Sequence, residues 1–221
     1  MSKNRMDELI QGQLYSIALA APLLELNDLT PETAYTWEPT DENVKRCKHM
    51  LKSGWSIEDT ATLKERLEWL LKEGHSSSFM EIRSFLSTLS EAGQAAYIEA
   101  LPKNTSQHIE YEIVRAYNNR IPYAGIAAWD FGRYSYLCQA GMLAGYLSEG
   151  EGWDLMKKVA ILAQKCYSSW VDYGLAYFVG RLFWLEELHT DHTNRHYTMI
   201  QSLLINPHSL WRRLDWNLVL E

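Results

Sequence analysis

Hydrophobic positions along this chain recur mostly every three or four residues, the spacing of an amphipathic helix. Strand-like alternation never extends beyond a few residues. In the first half, the pattern predicts helices over residues 6–21, 41–52, 56–73, 79–89, 91–100 and 107–118. Gly74 has the position of a residue that ends a helix, and residues 75–78 are predicted to form a turn. The pattern therefore predicts an all-α fold.

The second half is more apolar and predicts the central helices of the protein. These are expected from Trp129 through the small residues around 141–145, and then over 153–167, 170–184 and 194–205, with a short last helix after Pro207. Residues 149–152 and 189–193 are predicted turns. Ser169 and Asp172 have the spacing of a capping box, so the chain is expected to break and restart as a helix there.

A length of 221 residues without a flexible linker fits one domain, 1–221. Residues 1–105 carry more charge than the middle of the chain. We therefore expect helices over 106–221 to form the core and those over 1–105 to be more peripheral. This division is compatible with a peripheral N-terminal helical subdomain.

Charged side chains lie beside large aromatics within the apolar helices. A charge in such surroundings needs a partner. One interpretation is an ion-pair network that fixes the register of the helices, and the alternative is an anion-binding or catalytic site around Arg133 and Arg181. The first interpretation is favoured. The candidate polar or binding cluster consists of Trp129, Asp130, Arg133, Trp170, Asp172, Tyr173, Tyr177, Arg181 and Trp184.

Histidines near the end of the chain give only a weak metal signal. Glu186 and His189 have the spacing of half a carboxylate-bridged di-iron site, but no second Glu-x-x-His accompanies them. His189, His192 and His196 are spaced so that they could hold zinc, which needs three or four converging ligands. Exposed histidines of a polar turn are the favoured interpretation, and we predict neither a metal nor a cofactor.

Charge and cysteine content restrict the partners and the compartment. The net charge of -7 disfavours nucleic acid and an anionic membrane, because both attract basic surfaces. Three cysteines without metal-like spacing fit a reduced, cytoplasmic setting. The most apolar run, 127–147, contains Asp130 and Arg133, so it is not expected to span a membrane. No signal peptide is recognisable at the N-terminus.

The spacing of tryptophan, arginine and glycine residues along the chain resembles the pattern of a known family. The motifs are Ala128-Trp129-Asp130-x-x-Arg133, Gly141-x-x-x-Gly145, Ser169-Trp170, Gly180-Arg181-x-x-Trp184, Gly54-Trp55-Ser56-Ile57, Leu70 to His75, and Trp211-x-x-Leu214-x-Trp216-Asn217. Together they resemble the uncharacterised enterobacterial YbeU/YbeR-type family over most of the chain. The resemblance implies a bacterial cytosolic helical protein with no established activity. Genes of this type near mobile or toxin-associated loci suggest an immunity or interaction role.

Because no catalytic motif is complete, the first hypothesis is a non-enzymatic protein-binding module, such as an immunity protein that neutralises a toxin. The alternative is an enzyme or small-anion receptor that uses Arg133 and Arg181, with Asp130 or Asp172 as a base. This alternative predicts an open pocket that reaches both arginines. A third hypothesis is a structural or regulatory homo-oligomer, since the sequence leaves the oligomeric state open.

Overall fold

A computed structural model describes residues 9–29, 33–188 and 191–220, which form helices and no strand. The all-α prediction is confirmed for this part of the chain. The helices are α1 (Gln11–Ala18), α2 (Ala21–Leu26), α3 (Asp41–Trp55), α4 (Thr60–Lys72), α5 (Gly74–Ser87), α6 (Glu91–Ala100), α7 (Ser106–Tyr117), α8 (Ala127–Ala144), α9 (Glu149–Cys166), α10 (Trp170–Leu185), α11 (Asp191–Ile205) and α12 (Leu210–Arg213).

Helix α8 lies at the centre of the fold. Every residue from Ala128 to Ala144 is buried, as expected for a helix that is apolar on all sides. It packs against α2, α3, α4, α5, α9 and α10, so one core unites both halves of the chain. Within the described ranges, none of the helices combines the length and apolarity needed to cross a bilayer.

The first two helices belong to the core. Residues 15–22 are all buried, and the Tyr15 hydroxyl donates a hydrogen bond of 2.9 Å to the backbone oxygen of Trp216. Helix α1 packs against α9. In contrast, α6 buries only Ile98. A division at residue 105 into peripheral and core helices therefore does not match the distribution of buried residues, because α1 and α2 contain fully buried segments as α8 does.

Two predicted turns are wrong because helices begin there. Helix α9 begins at Glu149, since the Ser148 hydroxyl accepts a hydrogen bond from the Glu151 amide at 3.3 Å and caps it. Residues 75–78 belong to α5. Part of the third predicted turn, 191–193, is also helical, and its first two residues lie outside the described ranges. The predicted restart at Ser169 is confirmed.

Candidate functional site: a tryptophan–arginine pocket

Four tryptophans and three arginines meet around a pocket of about 300 Å³. Helix α3 contributes its last residue, and α4, α8 and α10 contribute the others. We call it the tryptophan–arginine pocket, and its defining residues are Trp55, Arg66, Trp69, Trp129, Arg133, Arg181 and Trp184. The pocket therefore joins residues from both halves of the chain.

Each of three helices presents one arginine–tryptophan pair to this pocket. The members of a pair are three or four residues apart, so they lie on the same helix face. Each guanidinium carbon lies over its partner's ring, at 5.4 Å in α4, 4.8 Å in α8 and 5.7 Å in α10. The pairs are Arg66 with Trp69, Trp129 with Arg133, and Arg181 with Trp184.

Arg133 is the most deeply buried of the three arginines. It forms an ion pair with Asp130 on the same helix, as the spacing of three residues predicted, and its side chain is only 6% exposed. Burial lowers the pKa of Arg133, and the Asp130 carboxylate opposes this effect. The guanidinium also lies 5.9 Å from the Trp69 ring and 6.0 Å from the Trp55 ring. Arg133 thus links α8 to α3 and α4.

Asp130 connects the same helix to the start of α5. Its carboxylate accepts hydrogen bonds from the backbone amides of His75 at 3.1 Å and Ser76 at 3.0 Å. These amides lie in the first turn of α5, where a carboxylate satisfies free N–H groups and interacts favourably with the helix dipole. Asp130 therefore caps a helix 55 residues away while it neutralises Arg133.

His75 completes this group as a neutral side chain. Arg133 Nη2 lies 2.8 Å from His75 Nδ1, and a guanidinium can only donate, so Nδ1 accepts and the proton sits on Nε2. Burial and the charge of Arg133 lower the pKa of His75 to about 4, against the effect of Asp130. His75 Nδ1 and Asp130 Oδ1 lie 3.9 Å apart. Because His75 is neutral, the two side chains do not form an ion pair at neutral pH.

The neutral state of His75 predicts a specific loss of stability in acid. In the unfolded chain its pKa is about 6.5, so the unfolded state takes up the proton first as the pH falls. The resulting loss of up to about 2–3 kcal/mol develops between about pH 6.5 and pH 4. The wild-type advantage over His75→Gln in free energy of unfolding should shrink across this window. Urea titrations at several pH values measure it, and a constant difference contradicts the neutral assignment.

Within the described ranges, the other two arginines, Arg66 and Arg181, have no carboxylate partner. Arg181 Nε donates to His196 at 2.8 Å, and Arg66 Nη2 donates to the Trp55 backbone oxygen at 3.3 Å. Among the described residues, no carboxylate lies within ion-pairing distance of either guanidinium. Burial lowers the pKa of Arg181, with opposing effects of Tyr177 and Glu187. The pocket thus has an excess of positive charge in an acidic protein.

Two buried polar atoms beside the arginines also lack partners within the described part of the chain. They are the indole nitrogen of Trp129 and the hydroxyl oxygen of Tyr177. Their rings pack together at 5.1 Å between centroids. Burial raises the pKa of Tyr177, and the charges of Arg181 and Arg133 oppose this rise. Buried polar groups are nearly always hydrogen-bonded, so these two atoms are exceptions, and Tyr177 does not itself line the pocket.

Three of the predicted cluster residues lie elsewhere. Trp170 stacks on Trp211 at 5.5 Å, and Tyr173 packs edge-on against the same ring at 5.9 Å, within a buried aromatic cluster near the end of the chain. Asp172 caps α10, where its carboxylate accepts from the Ser168 amide at 3.3 Å. Asp172 and Arg181 do not form an ion pair with each other, because nine residues of helix separate them by about 13 Å.

The weak metal candidates do not form a cluster in the described residues. Glu186 accepts a hydrogen bond from the Ser106 hydroxyl at the end of α10, and His196 contacts Arg181. His189 and the side chain of His192 lie outside the described residues. No group of three potential metal ligands occurs among the residues that the structure describes.

Three defining residues of the pocket, Trp55, Arg66 and Trp69, and the lining residue His75 are absent from the predicted cluster. All four lie in the half that was expected to be peripheral. A usable signal was present, because Arg66 and Trp69 repeat the spacing of Arg181 and Trp184. The spacing that pairs arginine with tryptophan on one helix face therefore occurs at three places in the sequence.

Fold and pocket together define an all-helical protein with a cationic, tryptophan-lined cavity near its central helix. The chain belongs to the family described as "Protein of unknown function (DUF1266)", whose model matches residues 50–216. Every tryptophan and arginine that defines the pocket lies within this matched segment. The predicted relationship is confirmed.

Two uncharacterised proteins of Escherichia coli strain K12 are similar to the chain. YbeR is 28% identical over 150 residues, which cover 62% of this chain and 58% of YbeR. YbeU is 39% identical over 70 residues, which cover 32% of this chain and 30% of YbeU. The chain therefore spans less than two thirds of the length of these curated relatives. No solved structure matches it.

Proposed function

We propose that this protein is a receptor for a small organic anion, which binds in the tryptophan–arginine pocket. The observation that carries the proposal is the charge imbalance. Arg133 has Asp130 as its counter-ion, whereas Arg66 and Arg181 face the pocket without a carboxylate among the described residues. Guanidinium groups suit carboxylate and phosphate because their N–H groups form a planar fork.

Stacking on indoles leaves the edges of the guanidiniums available. A guanidinium over a ring uses its face for the cation–π contact, while its N–H groups point outward in the plane. Arg181 uses Nε for His196 and has two further nitrogens without a partner among the described residues. The Arg66–Trp69 and Arg181–Trp184 pairs therefore hold donors in place before an anion arrives.

The geometry favours anion binding over catalysis, because the two candidate bases, Asp130 and Asp172, already accept hydrogen bonds from other groups. Asp130 already accepts hydrogen bonds from Arg133 and two backbone amides. Asp172 lies at the start of α10 as a cap. A larger cleft of about 630 Å³ elsewhere is lined by both Glu112 and Arg115, so it offers no comparable excess of one charge.

A protein partner, such as a toxin neutralised by an immunity protein, stays a prediction.

A cytoplasmic setting is also part of the proposal, and it is supported by three free cysteines, Cys47, Cys138 and Cys166. Burial raises the pKa of the Cys47 thiol to about 11, so this cysteine stays protonated and unreactive at neutral pH.

Arg181→Gln should weaken anion binding at least tenfold, because a charged hydrogen bond contributes about 1.5–3 kcal/mol. Isothermal titration of the full chain with acetate, inorganic phosphate and benzoate measures this effect. Arg212→Gln, on the exposed side of α12, is the matched control and should bind like wild type. If none of the three anions binds, or if both variants weaken equally, the proposal is wrong.

A further inference from the structure

We infer that the bound anion carries a planar aromatic ring, a conclusion that rests on the proposed anion receptor. Within the described residues, Leu23 is the only aliphatic side chain that lines the pocket. A site for an aliphatic acid would be expected to offer leucine, isoleucine or valine walls. Here four of the lining residues are tryptophans.

The indoles retain surface that the protein does not cover. Trp184 is 46% exposed, and its ring meets Trp129 at a 37° tilt with 5.7 Å between centroids. Trp55 and Trp69 are half-buried, with the Arg133 guanidinium near the outer limit of a cation–π contact. Three indoles thus present area against which a flat ring can stack or pack edge-on.

A cage of tryptophans would ordinarily suit a cation such as a quaternary ammonium group. Here the guanidiniums of Arg66, Arg133 and Arg181 already lie over those rings. They repel a second cation and attract an anion. The remaining ligand class is therefore a ring that is neutral or electron-poor and bears an acidic group.

The pocket brings positive charge and indole surface close together, which suits a ligand that carries both an acidic group and an aromatic ring. Both the Arg133 and Arg181 guanidiniums lie over Trp129, at 4.8 and 5.7 Å, so their separation is at most the sum of these distances. Trp184 lies beside Arg181 on the same helix face. A volume of about 300 Å³ is at the lower end for ligand sites, which favours a single ring with a carboxylate or phosphate.

Benzoate, cyclohexanecarboxylate and benzamide separate the contributions of ring and charge. Against the full chain in calorimetry, benzoate should bind about three- to tenfold more tightly than cyclohexanecarboxylate, since an aromatic pair adds roughly 0.5–1.5 kcal/mol. Benzamide, which lacks the charge, should not bind measurably. In NMR spectra, the benzoate ring protons should shift upfield because they lie against indole faces.

In Trp184→Leu, the ratio of the dissociation constants for cyclohexanecarboxylate and benzoate should fall towards one, although loss of the indole beside Arg181 lowers the affinity for both anions. Trp37→Leu, a half-buried tryptophan outside the pocket, is the control and should keep the preference. Equal binding of benzoate and cyclohexanecarboxylate by wild type, or binding of acetate or phosphate without benzoate, overturns the aromatic inference alone. Failure of every anion to bind overturns the receptor proposal itself.

Discussion

Replacing Asp130 by asparagine should lower the free energy of unfolding by about 3–5 kcal/mol. The change leaves the guanidinium of Arg133 buried without its counter-ion. It also weakens the cap that the carboxylate provides to the amides of His75 and Ser76. Urea unfolding followed by tryptophan fluorescence and circular dichroism measures the loss.

Asp172→Asn is the matched control, because Asp172 is a half-buried cap without a buried cation. Its cost should be no more than about 1 kcal/mol. The double variant Asp130→Asn with Arg133→Met should be less destabilised than the sum of the single changes, since no unpaired buried charge is left. Equal losses for Asp130→Asn and Asp172→Asn contradict the role assigned to Asp130.

Gly74→Ala should destabilise the protein by about 3 kcal/mol or more. Gly74 has a φ of 56°, a left-handed conformation that costs other residues about 1–2 kcal/mol. In addition, a Cβ on Gly74 would lie 2.5 Å from the carboxyl carbon of Asp130, so the carboxylate would have to leave the start of α5. Thermal or urea unfolding provides the measurement.

Gly150→Ala provides the opposite control. Gly150 lies within α9, and a Cβ there would meet no atom within 4 Å. Alanine should stabilise this helix by about 0.5–1 kcal/mol. A Gly74→Ala variant as stable as wild type contradicts the close contact between Gly74 and Asp130.

Local spacing made part of the site predictable from the sequence. Asp130 and Arg133 are three residues apart, so one helix face brings them together without help from the rest of the fold. The same argument places Arg181 beside Trp184. Helix type was predictable for similar reasons, because the hydrophobic period of amphipathic helices such as α3 and α7 is a local property.

Contacts between distant segments were not predictable in this way. The turn expected over 75–78 is helical because Asp130, 55 residues later in sequence, caps it. Likewise Trp55, Arg66 and Trp69 join the pocket only because α3 and α4 pack on α8. The higher charge of the first hundred residues predicted that their helices lie at the periphery of the fold. Arg66, one of these charged residues, nevertheless faces the pocket.

The two interpretations of the buried charges apply to different arginines. Arg133 and Asp130 form the ion pair that the structural interpretation requires. Among the described residues, Arg66 and Arg181 form no ion pair with a carboxylate, as the proposed anion receptor requires. The charged residues that stabilise the helices and those proposed to bind an anion are therefore neighbours in one pocket.

The most direct test of the anion pocket is an NMR titration of the arginine side chains with benzoate, using protein labelled with ¹⁵N arginine. The receptor proposal predicts that the side-chain N–H signals of Arg66 and Arg181 shift to saturation, while those of the exposed Arg212 do not move. If benzoate, and then acetate and inorganic phosphate in the same experiment, all leave the Arg66 and Arg181 signals in place, or move them without saturation together with those of Arg212, the receptor proposal is contradicted.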